Sequence, residues 1–133
     1  MQLTGRSDLI ELGIAVRQRR LELGWTQQDV AKKAELNPSA LSTFERYGAG
    51  VSLPQLARLL AVVEIQDALA AGVDPAKIAL DWDEVLRGDL ALANGRPIEA
   101  VEHHRNAWNH AAHLVIRVTG RASERGTVLE FLA

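Results

Sequence analysis

Each of the four prolines in this chain stands where a helix can begin, and three of them are answered by a glycine where that helix can end. Pro54 is followed by Gly72, Pro75 by Gly95, and Pro97 by Gly120. The asymmetry has a physical cause. A first-turn amide has no intrahelical acceptor, so proline loses nothing there, and glycine accepts the left-handed geometry that closes a helix. Each interval holds roughly twenty residues, room for one long helix or two short ones. The fourth proline, Pro38, follows Asn37, a good capping residue. No glycine- or serine-rich tract marks a flexible linker, and no internal repeat is present. The sharpest boundary is Gly72-Val73-Asp74-Pro75, a glycine stop meeting an Asp-Pro start. It divides the chain into residues 1–72 and 73–133.

Apolar spacing fills these frames with helices. Leu9, Leu12, Val16 and Leu23 recur at helical intervals up to Gly24. Thr26 can cap a second helix by accepting from the amide three residues on, and Asp29 complements its positive end. Asn37-Pro38 opens a third helix, and Ser52-Leu53-Pro54-Gln55 is a capping box opening a fourth. Beyond the boundary, one segment runs from Asp74-Pro75 to Leu80. Asp81-Trp82-Asp83-Glu84 reads as a fresh acidic helix start leading through Val85, Leu86 and Leu90. From Pro97 to Thr119, Val101, Trp108 and Val115 recur every seven residues, an amphipathic helix of roughly 35 Å. Thr127 to Leu132 reads as a short last helix or, on a weaker signal, as one arm of a hairpin with Leu114 to Val118. Ala and Leu supply 39 residues against 22 for Val, Ile and Thr together, so propensity agrees with an all-α fold.

Composition excludes several functions. The absence of cysteine removes disulfide frameworks, zinc ribbons and thiol catalysis. No secretory signal is visible in Met1 to Asp8, and the most apolar stretch, Leu53 to Val63, is interrupted by Gln55 and Arg58. A cytoplasmic protein without a membrane partner is expected. With 15 basic and 17 acidic residues the net charge is −2, which argues against a broad basic nucleic-acid grip.

One run nevertheless has the physics of a helix-turn-helix. In Gly24 to Arg46, Val30, Ala31, Ala34, Leu36, Leu41 and Phe44 are spaced to bury the crossing of two helices, with small Ala31 permitting close approach. Ser39, Ala40, Ser42, Thr43 and Arg46 are left outward, a face of short side chains suited to a major groove about 12 Å wide. With its flanks, this stretch resembles the Xre/Cro-type, lambda-repressor-like helix-turn-helix regulators. The resemblance covers Leu9 to Gly72. It rests on Leu12-Gly13, Arg17-Gln18-Arg19-Arg20, Gly24-Trp25-Thr26-Gln27, Leu41-Ser42-Thr43-Phe44-Glu45-Arg46 and Leu53-Pro54-Gln55-Leu56-Ala57. It implies a five-helix DNA-binding domain with Ile65 to Ala71 as the fifth helix, followed by a smaller helical C-terminal region.

The resemblance also implies roles. Gln27 stands where the family places a glutamine that binds phosphate or braces the recognition helix, with Gln28 a weaker candidate beside it. Ser39, Ala40 and Thr43 match base-reading positions, Asn37 and Ser42 lie near the DNA backbone, and Arg46 and Lys32 are candidates for phosphate contacts. With Arg17 they make a small basic rim. Arg20 and Glu45 match a pair that bridges the first and third helices, a structural role. Two departures stand out: Glu35 occupies a turn position where the family has glycine for its positive φ, and Tyr47 replaces the glycine that usually follows Glu-Arg. Trp25 is read as a staple in the first turn, not a base-stacking residue.

Nothing else in the chain carries chemistry. His103, His104, His110 and His113 fall on one predicted helix, but no HExxH or cysteine partner accompanies them, so a polar helix face is expected and no metal or other cofactor. Asp81, Asp83 and Glu84 read as helix-start partners, not a catalytic dyad, and an enzyme is not expected. Residues 73–133 bear seven basic and nine acidic groups and show no family signature. Trp82, Leu86, Leu90, Val101, Trp108 and Val115 supply a small core or a docking surface there. The expectation is a sequence-specific repressor of double-stranded DNA, of the phage immunity type, with residues 73–133 serving foremost a homodimer and otherwise a second DNA contact or a surface for another protein. The alternative is an antitoxin whose second half binds its toxin.

Overall fold

A computed structural model describes residues 6–120, and among them every regular element is an α-helix. In chain order these are α1 (Arg6–Glu22), α2 (Gln27–Ala34), α3 (Pro38–Tyr47), α4 (Leu53–Ala70), α5 (Pro75–Ala93) and α6 (Pro97–Thr119). None of them is long and apolar enough to cross a membrane. The expected helix at Thr127 to Leu132 lies outside the described residues.

The local signals act where the sequence puts them. Thr26 caps α2 as half of a reciprocal box: its hydroxyl accepts from the Asp29 amide, and the Asp29 carboxylate accepts from the Thr26 amide. Asn37 caps α3 by accepting from the Ser39 amide, Ser52 and Gln55 close the box that opens α4, and Asp74 accepts from the Ala76 amide at the head of α5. Every proline sits in the first turn of its helix.

Two expected breaks do not occur. α4 continues without interruption through Ile65 to Ala70, so Ile65 to Ala71 is not a separate fifth helix. That segment contains no proline or glycine, and Ile65, Asp67 and Ala68 carry the buried surface of the helix onward. α5 likewise passes through Asp81-Trp82-Asp83-Glu84. Its acidic residues are therefore not helix-start partners: Asp81 is buried in mid-helix against α6.

α4 is the axis of the molecule. It touches α1 and α2 on the side of the helix-turn-helix, and α5 and α6 on the other. This two-sided contact explains a sequence that is apolar nearly all round, with Leu56, Leu59, Leu60, Val62, Val63 and Ile65 all buried. One continuous core runs from Leu12, Val16 and Phe44 through Leu60 to Trp108 and Val115, crossing the point between residues 72 and 73. Trp108 is 1% exposed and Val115 5%, so the seven-residue stripe on α6 is interior, with Val101 packed at its margin. Each such side chain contributes about 1.5–3 kcal/mol on leaving water. Of the residues expected to supply a core or a docking surface, Leu86 and Leu90 are not in the core and point outward at 64% exposure each.

Two close approaches depend on glycine. A Cβ on Gly13 would lie 2.3 Å from the carbonyl oxygen of Phe44, so α1 and α3 meet backbone to backbone there. A Cβ on Gly88 would lie 2.5 Å from Nε2 of His104, which fills the space that the missing side chain leaves between α5 and α6.

Candidate nucleic-acid interface

α3 divides its residues cleanly between two sides. Leu41, Phe44 and Glu45 are buried against the rest of the domain. At 100° per residue, Ser39, Ser42, Thr43 and Arg46 fall on the opposite arc, where Ser39, Thr43 and Arg46 are exposed and Ser42 is half-buried. Ala40 lies at the edge of that arc and is half-buried. The helix is ten residues long, about 15 Å, and its outer side chains are short enough to let its backbone approach a duplex closely.

The polar groups on this face are partly committed. Asn37 Oδ1 accepts from both the amide and the hydroxyl of Ser39, the latter at 2.8 Å. The Thr43 hydroxyl donates to the Ser39 carbonyl at 2.9 Å. Each hydroxyl has therefore spent its proton inside the helix and presents lone pairs outward, and Thr43 adds a methyl. The carboxamide nitrogen of Asn37 keeps its two protons for an acceptor. Outward lone pairs and a methyl are groups that complement the amino donors and methyls found on base edges.

Behind α3 a buried charge network fixes its pose. Arg20 of α1 meets Glu45 of α3 in two parallel bonds of 2.8 and 2.9 Å, and its remaining nitrogen donates to the Trp25 carbonyl. Both side chains are almost wholly buried, a fork-to-carboxylate geometry with strict directional demands. Gln27, at the head of α2, donates its side-chain amide to the same carboxylate at 3.0 Å. The bracing role implied for Gln27 and the bridging role implied for Arg20 and Glu45 meet at one carboxylate. Three helices are pinned there. Trp25 packs half-buried against the core, as a staple does.

Arg17, Gln27, Arg46 and Tyr47 line one open cleft beside this network, together with Ile14. α1, α2 and α3 each supply one of its polar walls. Arg17 and Arg46 are exposed and make no ion pair among the described residues, whereas nearby carboxylates are engaged: Glu45 with Arg20, and Glu22 and Asp67 with Arg19. Asp29 is held by its cap, and the Thr26 amide keeps its carboxyl below the usual range. Lys32 is not part of the cleft. It lies with Trp25, Asp29 and Lys33 on another side of α2, exposed and without an ion pair among the described residues, on the same flank as exposed Gln28 four residues before it.

Sequence reasoning missed two residues at this site. Tyr47 stands in the sequence only as a departure from a pattern, yet its half-exposed side chain (55%) lines the cleft with the two arginines. Arg58 carried no signal at all. From α4 it makes two bonds to Asp89 of α5, at 2.8 and 3.0 Å, and a third to the Lys33 carbonyl at the end of α2. It ties the second half of the chain to the helix that precedes α3. At the turn, Glu35 has φ 56° and closes α2 in the left-handed region, so the glycine geometry is kept without the glycine.

The four histidines do not form a polar face. His104 is fully buried, with Nε2 3.1 Å from Asp89 Oδ1 and 3.3 Å from the Val85 carbonyl. His103 meets Glu84, His110 meets Asp81, and His113 bonds to the Asn109 carbonyl of its own helix. They are spent on joining α6 to α5 or to itself. No group of three or more metal-ligating side chains occurs among the described residues.

No curated protein and no solved structure matches the chain. Residues 11–73 match the model of a family described as a helix-turn-helix domain, a span that opens inside α1 and closes just after α4. An outward arc on α3, a braced head on α2 and free cations on both flanks occupy that span. Over residues 11–73, just under half of the chain, the protein is similar to that helix-turn-helix family, and α2 and α3 lie within the matched span.

Proposed function

We propose that the protein is a sequence-specific repressor that lays α3 in the major groove of an operator. The observation that carries this reading is the coincidence of the Ser39–Ser42–Thr43–Arg46 arc with unpaired Arg17 and Arg46 beside it. The arc reads base edges; the two arginines and the amides at the head of α2 hold phosphates on either side. Gln27 acts mainly by holding Glu45 and hence α3, and Gln28 and Lys32 meet the backbone farther along α2. The protein acts in the cytoplasm as a binding protein, without catalysis and without a cofactor. Its role as a phage immunity repressor rests on the resemblance of residues 9–72 to the Xre/Cro type.

Selection of bound duplexes from a random pool tests the proposal. The wild-type chain is expected to enrich one consensus, and a Ser39→Asn/Thr43→Gln double substitution to enrich another. Gln27→Ala is expected to weaken binding to all sequences alike. No enrichment by the wild type, or an unchanged consensus in the double variant, overturns the reading.

A further inference from the structure

We infer that the outer face of α5 is the seat of a second copy of this chain, docked antiparallel about a two-fold axis at residue 85. The proposal stands on the second half of the molecule and is independent of the DNA reading. Among the described residues the four most exposed large apolar side chains belong to the second half, three of them to one helix: Leu80, Leu86 and Leu90 of α5 are each 64% exposed, and Ile98 at the start of α6 is 76% exposed. On a helix of 3.6 residues per turn, Leu80, Asp83, Leu86, Arg87 and Leu90 share an arc about 120° wide. An amphipathic helix ordinarily turns such an arc inward, but α5 already spends its other side, with Ile78, Val85 and Gly88, on the interior. An apolar stripe of this kind on an otherwise charged surface marks a contact site.

The charges on the stripe select the occupant. Asp83 and Arg87 lie among the leucines, exposed at 59% and 61%, and among the described residues pair only with groups of their own helix. Leu80 and Leu90 are symmetric about residue 85, and so are Asp83 and Arg87. Two copies of α5 laid antiparallel with their two-fold axis at that point place Leu80 against the partner's Leu90 and Asp83 against the partner's Arg87, each twice. Leu86 then meets its own copy beside the axis. The face is thus complementary to itself in both shape and charge, as an isologous contact requires. A face of one sign, or one with the charges at unrelated spacing, would have fitted a different protein instead.

Analytical ultracentrifugation of the full chain over a concentration series tests this. The wild type is expected to rise from the 14.5 kDa of one chain towards twice that mass. Leu86→Glu/Leu90→Glu is expected to stay at the single-chain mass with an unchanged melting temperature, since neither side chain supports the core. Asp83→Arg alone is expected to weaken association about tenfold, because like charges then face each other at two equivalent places. Adding Arg87→Asp is expected to restore it to within about threefold of wild type. That rescue is a result that a merely apolar contact would not give. The proposal is overturned by a wild-type chain that remains single at high concentration, whether the stripe is bare or covered by another segment or protein. It is equally overturned by a Leu86/Leu90 variant that still pairs, or by charge reversals that fail to rescue one another.

Discussion

Glu35 shows what a single residue tolerates when its surroundings insist. Its φ of 56° lies in the left-handed region that side chains with a Cβ enter at a cost of about 1 kcal/mol. The turn holds it there because the following amide, of Leu36, bonds to the Ala31 carbonyl at 2.8 Å, closing α2 in the manner of a Schellman motif. Glu35→Gly removes that strain and gives up only a 3.4 Å pairing of a largely exposed carboxylate with Arg58, a contact of small worth. The variant is expected to be more stable by about 0.5–1 kcal/mol, read as a higher midpoint in urea with an unchanged slope. A midpoint equal to or below that of the wild type would show that the turn does not strain Glu35. Arg20 is the opposite case. Its bonds to Glu45 are buried, and a lone buried carboxylate is a far larger liability than a strained turn.

At the scale of elements, α5 and α6 are joined by polar pins set into an apolar seam. His104 is the deepest of them: burial holds its imidazole below the ordinary histidine range, against the opposing pull of Asp89. In the unfolded chain the same ring takes up a proton near pH 6.5. The contribution of His104 is therefore complete above that value and declines as pH falls below it, because the unfolded state then binds more protons. Asp81 works in the reverse sense and at lower pH, since burial pushes its carboxyl up. Thermal melts from pH 7.5 down to 5.5 are expected to show a loss of stability that is reduced in His104→Gln, which keeps the other three histidines. Equal slopes for the two proteins would remove His104 from the account. These pins also mark the limit of what was legible beforehand. Thr26, Asn37, Ser52 and Asp74 announced their helices because a cap acts over three residues and needs nothing distant. The continuity of α4 past Ile65 and of α5 past Asp81 was hidden, because burial against α6 decided it. Asp81 carries the same side chain at a helix start or in a buried seam; only its partner, His110, tells the two apart. Of the interface, the arc on α3 was legible from its short polar residues. The shared cleft of Arg17, Gln27, Arg46 and Tyr47 was not, since three helices supply it.

At the scale of the whole molecule, the two halves depend on each other through α4, and net charge misrepresents the surface. Residues 73–120 cover the side of α4 that the helix-turn-helix leaves open, so a chain cut after Gly72 would expose apolar side chains that are buried in the intact protein. Such a fragment is expected to melt without a cooperative transition or to aggregate; a sharp melt near that of the full chain would show that α4 needs only one neighbour. Pairing, and not the total, decides what charge the surface offers. A chain of net charge −2 can hold a polyanion if its carboxylates are engaged and a few cations are not. Arg19 is spent on Glu22 and Asp67, Arg20 on Glu45 and Arg58 on Asp89, whereas Arg17, Arg46 and Lys32 have no acidic partner among the described residues. Each cation that neutralises a phosphate releases a counterion and adds about 0.9 to the slope of log affinity against log salt. Arg17→Ala and Arg46→Ala are each expected to lower that slope by about 1 while leaving the preferred sequence unchanged. Arg19→Ala, made in the same helix as Arg17, removes an equal charge that is already paired and is expected to leave the slope where it was. If all three substitutions lower the slope alike, binding answers to overall charge. If only Arg17 and Arg46 do, the interface is the cleft that joins α1, α2 and α3.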